Sequence, residues 1–284
     1  MEDRRPRFEI NHDDGLNAWS VAEYAAGPAL RGLVHHYTDY WERTGGFSTR
    51  RELPIADGVM IFNLADPLEI VGGDGRTIRL GAGEAFVAGT HLRPALSRST
   101  GEQAGIHIFL PIESVRRLIG VPLGQMTDQV VALDTLLGPK AKQLGERLVQ
   151  APRAHRAELL DQALHERLAE TEACASQGHA LHLLRTRPDL DIMGIARDIG
   201  WSRKHLADRV RDAVGIGPRS FRRLLRFHQL TKAIGEAPDW AGLAHDIGYY
   251  DQSHLIREFR EFAGMTPSDY CARLMPEGGG LIEA

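Results

Sequence analysis

One sentence of this chain is written twice. The stretch "ARDIGWSRKHLADRVRDAVGIGP" beginning at Ala196 returns about fifty residues later as "AHDIGYYDQSHLIREFREFAGMTP", beginning at Ala244. Ala196, Ile199 and Gly200 match Ala244, Ile247 and Gly248. After one extra residue in the second turn, Leu206, Val210, Gly215 and Pro218 match Leu255, Phe259, Gly264 and Pro267. Asp191 and Asp239 can each cap the start of a helix, and Gly200 and Gly248 suit its left-handed close. Ser202 and Asp251 can cap a second helix that runs to Gly215 or Gly264. Each copy therefore predicts helix, tight turn, helix. A single copy would read equally well as an ordinary α-hairpin, but two copies matched at the same geometric positions favour paired helix-turn-helix units.

Between the copies lies "PRSFRRLLRFHQLTKAIGEA". Pro218 suits a helix start, and Phe221, Leu224, Leu225, His228 and Ile234 supply an apolar face. From Arg219 to Glu236 the helix spans roughly 27 Å at 1.5 Å per residue. That length can hold two probe helices, 202–214 and 251–263, about one DNA turn or roughly 34 Å apart. With Leu206 and Val210 turned inward, the first probe presents Ser202, Arg203, Lys204, His205 and Arg209; the second presents Gln252, Ser253, His254, Ile256 and Arg257. Such side chains can reach base edges or phosphates in a major groove. Arg222, Arg223 and Arg226 on the spacer helix are candidates for phosphate or packing roles.

Charge agrees with this placement. The chain carries a formal net charge of −4, with 34 Lys and Arg against 38 Asp and Glu. From Leu181 to Met275 there are 15 basic and 12 acidic residues, leaving 19 and 26 elsewhere, so a net +3 segment rides on a −7 remainder. A basic segment on an acidic partner suits a polyanion reader.

At these residues the chain resembles the AraC/XylS family of bacterial transcription regulators, over about Leu181 to Met275. "IARDIGWS" and "VGIGPRSFRRLLRFHQL", then "LAHDIGYYDQSHLIREFREFAGMTPSDY", follow the family pattern through both units. Arg226 falls where the family usually has Arg on the linking helix. The first unit departs from the pattern: Asp208 stands where Arg is frequent, and Arg209 follows one place later. The resemblance implies double-stranded DNA as partner, and the far-apart Cys174 and Cys271 fit a reducing cytoplasm. The resemblance also admits a homodimer and a contact with RNA polymerase.

Upstream, "GVMIFNL", "LEIVGG", "TIRLGAGEAFVAGT" and "GIHIFLP" read as short strands bounded by turn formers, with "GGDGR" as a hairpin signal. They predict a β-sandwich or small barrel. This region, with "LIGVPLGQMTDQVVALDTLLG", is similar to the cupin-like sensor domains that precede such DNA-binding domains, which implies effector sensing or dimerisation. Arg93, His107 and Phe109 are the candidates for lining an effector cavity. "ESVRRLIG" and residues 139–173 are helical, the latter with Leu159, Leu160, Ala163, Leu164 and Leu168 in one stripe that suits either a dimer surface or packing on its own barrel. "CASQGHA" reads as a short linker.

The expected fold class is thus α+β in two domains: a cupin-like barrel or sandwich with following helices, then an all-α domain of two helix-turn-helix units on a linker helix. Domain limits are 1–137 for the sensor, 138–178 for a helical connector, 179–275 for the DNA-binding part and 276–284 for a flexible tail. An alternative reading is a cupin-type metal or small-molecule enzyme with a regulatory DNA-binding tail. His35, His36, His91 and His107 lack the H-x-H spacing and partner acid of such a centre. Adjacent His35 and His36 on a strand should point to opposite faces. The Gly-rich segments precede no helix in a phosphate-binding pattern, and Cys174 and Cys271 read as structural. No catalytic residue, cofactor or metal is expected, and no membrane span.

Overall fold

Alternation governs the N-terminal half. In the computed structural model, which describes residues 4–43, 48–169, 175–235, 238–274 and 281, the strands are β1 (Phe8–Asp13), β2 (Ala18–Ala25), β3 (His36–Arg43), β4 (Ser48–Glu52), β5 (Asp57–Asn63), β6 (Leu68–Val71), β7 (Thr77–Leu80), β8 (Ala85–Ala88), β9 (Ala95–Ser99), β10 (Glu102–Pro111) and β11 (Val130–Ala132). They form a seven-stranded sheet, ordered β1-β2-β3-β10-β5-β8-β11, and a four-stranded sheet, ordered β4-β9-β6-β7. All pairings between these strands are antiparallel. The "GGDGR" turn joins β6 to β7 as read from the sequence, closed by the Gly72 N–H donating to Arg76 O at 2.9 Å.

The period of two sorts residues between the faces of the large sheet. Ile106, Ile108 and Leu110 of β10 join a core with the helices, whereas Ile61 and Phe86 pack with Leu68, Ile70 and Leu80 of the small sheet. Ile61 pairs with His107 across β5 and β10, so His107 shares the face that looks at the small sheet.

The helices are α1 (Ile112–Ile119), α2 (Leu133–Leu137), α3 (Pro139–Gln150), α4 (Arg153–Ala169), α5 (Ala175–Thr186), α6 (Ile192–Asp198), α7 (Arg203–Val214), α8 (Pro218–Ala233), α9 (Trp240–Ile247), α10 (Gln252–Ala263) and α11 (Pro267–Arg273). The stripe on α4 joins the core shared by the large sheet and the helices, with Leu160, Leu164 and Leu168 buried. Asp39, 3% exposed on β3, accepts from Arg153 Nε at 2.8 Å and Arg156 Nη1 at 2.9 Å. Asp161 accepts from the Tyr37 hydroxyl at 2.7 Å and the Gly27 N–H at 2.9 Å. A carboxylate buried between two guanidiniums is costly to separate from either, so these pairs hold the helix in one register.

Three sequence expectations change. Residues 130–132 return to the large sheet as β11 in the middle of a helical run, because Val130 pairs with Ala88 of β8. The "CASQGHA" linker is helical from Ala175 onward, so α5 runs through the boundary placed at 178/179; Cys174 lies outside the described residues. In the tail expected to be flexible, Leu281 is 3% exposed and its carbonyl accepts from the Arg51 N–H at 2.8 Å. The rest of 276–284 lies outside the described residues. None of the described helices is long and apolar enough to cross a membrane.

Candidate nucleic-acid interface

Local rules build both units the same way. Asp191 accepts from the Gly194 N–H at 2.6 Å to start α6, and Asp239 accepts from the Ala241 N–H at 3.1 Å to start α9. The turns pass through Gly200 at φ 72° and Gly248 at φ 83°, a conformation costly for any residue with a Cβ. Ser202 then accepts from the His205 N–H at 3.1 Å and Asp251 from the His254 N–H at 2.6 Å, capping α7 and α10. In each turn an aromatic ring meets the first histidine of the next helix edge-on: Trp201 and His205 at 4.7 Å, Tyr249 and His254 at 5.4 Å. Leu206 and Val210, and their counterparts Leu255 and Phe259, are fully buried.

The linker helix α8 braces the second unit. Its buried face is Phe221, Leu224, Phe227 and Leu230. That stripe is rotated from the one read from the sequence, which had included Leu225, His228 and Ile234. Glu258 of α10, 2% exposed, accepts from Arg223 Nε at 2.7 Å and from Arg226 Nη2 at 3.3 Å. Arg223 also pairs with Glu261 and lies 5.3 Å over the Phe262 ring; Arg226 lies 5.4 Å over Tyr249. Arg222 donates to the carbonyls of Arg187 and Leu190, closing the loop before α6.

The candidate contact residues separate accordingly. Arg203, Lys204 and His205 of α7, and Gln252, Ser253 and Arg257 of α10, are exposed. Ser202 is also exposed, but its hydroxyl serves the cap. Arg226, a candidate for phosphate or packing roles, braces α10 through Glu258 and lies over Tyr249. His254 is half-buried and its Nδ1 accepts from the Tyr250 N–H at 3.3 Å, which ties the ring to its own turn. Ile256 is half-buried against the core, and Arg209 is half-buried on α7. Tyr250, the extra residue of the second turn, is 92% exposed immediately before α10. Sequence reasoning treated it as spacing alone, although a lone exposed aromatic at a helix start is a contact candidate in its own right.

Residues 195–273 match the family described as Helix-turn-helix domain. An AraC-like transcription regulator of Streptomyces antibioticus is 36% identical over 77 residues, covering 26% of this chain and 25% of the relative. The C-terminal region is an AraC-type helix-turn-helix domain. The chain spans about a quarter of the length of that curated relative. Among solved structures, ToxT from Vibrio cholerae aligns over 90% of this chain and 98% of its own at 9% identity, with a TM-score of 0.50. A structure of an apo ToxT variant aligns over 93% and 100% at 12% identity, with a TM-score of 0.49. The fold that ToxT shares is the β-rich N-terminal domain followed by an all-helical one.

The AraC-type domain docks on the N-terminal domain along the back of α7. Arg116 of α1 pairs with Asp212 at 2.9 Å, and Thr127 donates to the Gly215 carbonyl at 3.0 Å; the Thr90 hydroxyl donates to the Val214 carbonyl. Gln177 of α5 donates to the Arg209 carbonyl at 2.7 Å, and Arg185 forms a two-pronged pair with Glu113 at 2.8 and 2.7 Å. On α8, His228 Nδ1 accepts from the Ala56 N–H at 3.2 Å, and burial lowers the pKa of the ring. Near α10, Arg51 donates to the Ala263 carbonyl at 3.2 Å.

The three candidate cavity residues do not converge. His107 and Phe109 share the inner face of β10, with ring centroids 5.9 Å apart, and Tyr40 stands 4.7 Å from His107. Burial, then Arg50 and His36, pulls the His107 pKa down to about 4, so the ring is neutral at pH 7. Arg93 lies elsewhere: it is exposed on the loop after β8, its N–H donating to Asp128 Oδ1 at 3.2 Å. His35 turns toward Asp57 at 3.4 Å while His36 stacks on Phe109 at 4.6 Å, so the adjacent pair is split between directions as strand alternation requires. Among the described residues no group of three or more His, Cys, Asp or Glu side chains is placed to hold a metal ion.

Proposed function

We propose that this protein is a sequence-specific transcription regulator that sets α7 and α10 into two adjacent major grooves of double-stranded DNA. The observation that carries this reading is the repeated template: two independently capped helices, braced by one linker helix, each with polar and cationic side chains left exposed at its N-terminal turn. In helix-turn-helix proteins those are the residues that meet base edges, while the first helix of each unit crosses the backbone. Arg203, Lys204 and His205 would act in one groove and Gln252, Ser253 and Arg257 in the other, with Tyr250 beside them. Residues 1–137 act as sensor, 138–178 as connector and 179–275 as the DNA-binding part, in the cytoplasm. The space between the two sheets beside His107 and Phe109 receives a small-molecule effector. Pairing of two copies and contact with RNA polymerase complete the regulatory output.

Selection of binding sites from a random-sequence pool followed by footprinting tests the reading. Two protected major-groove segments about 10 base pairs apart are expected. Absence of protection at low ionic strength, where phosphate contacts are strongest, refutes it.

A further inference from the structure

A cleft of about 350 Å³ opens where α6, the start of α7 and α8 meet, and Arg203, Arg219, Arg222, Arg223 and Arg226 line it. Opposite them stand Ile192 and Met193, the latter 55% exposed. Few carboxylates answer these five cations. Asp191 is the only acid on the wall, and it already accepts from the Gly194 N–H as a helix cap. Arg223 and Arg226 share the buried Glu258, and among the described residues only Arg223 has a second acidic partner, Glu261. Arg222 spends its Nη hydrogens on neutral carbonyls, while Nε of both Arg222 and Arg226 is buried without a hydrogen-bond partner. Arg203 and Arg219 are exposed and form no ion pair among the described residues. Positive charge is thus concentrated in a concave site and left under-compensated, the arrangement that draws in an anion. Planar, multi-donor guanidiniums pair with phosphate oxygens two at a time, and a phosphate brings more negative charge to such a cluster than a carboxylate does.

We propose that this arginine-lined cleft is a phosphate-binding site, and that Met193 and Ile192 pack on the sugar or other apolar body to which the phosphate is attached. Two sources supply that chemistry. One is the duplex itself. The cleft lies where the first helix of unit one begins, beside the first residue of α7, and its wall is tied through Glu258 to α10, so backbone passing between two adjacent major grooves would run over it. The other is a free phosphate-bearing small molecule, at the lower end of the size that such pockets accept. The first source rests on the DNA-binding reading above; the second does not.

The test uses the full chain, with Arg219→Glu and Arg203→Ala, both exposed positions whose change leaves internal pairs intact. Inorganic pyrophosphate is titrated calorimetrically into the DNA-free protein, and binding to a random-sequence duplex is followed against salt. If the backbone is the ligand, Arg219→Glu weakens selected and random duplexes by the same factor and lowers the slope of log K against log salt by about 1. If a free phosphate is the ligand, the native chain binds pyrophosphate, both variants lose it, and the salt slope of Arg219→Glu stays that of the native chain. Pyrophosphate binding that both variants lose, in a native chain that footprints no DNA, would sink the DNA-binding reading and leave the site standing. The proposal itself is overturned if folded variants, with unchanged melting temperature, alter neither pyrophosphate binding nor the salt slope, or if pyrophosphate does not bind and the slope is that of the native chain.

Discussion

The two helix-turn-helix units share a template and differ in what holds them. At equivalent positions α7 carries Val210 and Asp212 where α10 carries Phe259 and Glu261. Phe259 belongs to an aromatic cluster, 5.3 Å from Phe227 and 5.5 Å from Tyr270, so the second unit fills its own core. Val210 is as fully buried but has no ring to offer. The acids diverge in the same sense: Asp212 pairs with Arg116 of the N-terminal domain, whereas Glu261 pairs with Arg223 of the linker helix. Glu258, the buried brace of unit two, corresponds to Arg209 in unit one. Unit two is anchored chiefly within the AraC-type domain, whereas unit one is held both there and on the N-terminal domain. A rearrangement of the sheets and α1 would therefore reach α7 directly, and α10 by way of α8 or the Arg51 contact.

The contrast breaks most readily in the cores. Phe259→Ala should cost about 3–5 kcal/mol, and Val210→Ala about 1–3 kcal/mol, by thermal or denaturant unfolding. Equal losses would mean that unit two has no more self-contained a core than unit one. Next in size, Glu258→Gln should cost about 2–3 kcal/mol. Removing one partner of a buried pair leaves the others poorly satisfied, and the partial exposure of both arginines keeps the figure toward the low end. In DNA binding, Arg257→Ala should lose about 1–3 kcal/mol on a selected site and relax preference at one base pair. Asp208→Ala, at the equivalent position of unit one, should instead tighten every duplex slightly, because it removes a negative charge that already pairs with Arg211 at 3.7 Å. An unchanged affinity for Arg257→Ala would take that residue out of the interface.

Smaller effects sharpen the asymmetry. Asp212→Asn should cost less than about 1 kcal/mol in global stability, as its ion pair is partly exposed. It should raise amide exchange in α7 and leave α10 unchanged. The smallest effect at neutral pH belongs to His107. The unfolded ring takes up a proton near 6.5 and the folded one only near 4, so stability is untouched above pH 6.5 and falls as pH drops from 6.5 toward 4. Burial also lowers the pKa of His36, which stacks on Phe109. Subtracting the pH profile of the melting temperature of His107→Gln isolates the contribution of His107, and a difference that stays flat across that window would contradict its burial.

The paired units, their caps and their ends were legible because each depends on residues within one or two turns: Asp191, Ser202, Asp239 and Asp251 as caps, and glycines where φ turns positive. Strand alternation likewise told that His35 and His36 point in different directions. Distance along the chain defeated the rest. Glu258 looks like any helical surface acid until α8 brings Arg223 and Arg226, 35 and 32 residues away, against it. β11 is three residues long, too short for a period to declare itself, and forms because β8 offers an open edge. Arg93 left the cavity, and Leu281 left the free tail, through contacts with distant segments. Local backbone chemistry thus wrote the two reading heads into the sequence. Which arginines brace the domain, which line a cleft, and which unit leans on the sheets followed only from packing, since those choices rest on desolvation and pairing between segments that the chain order keeps apart.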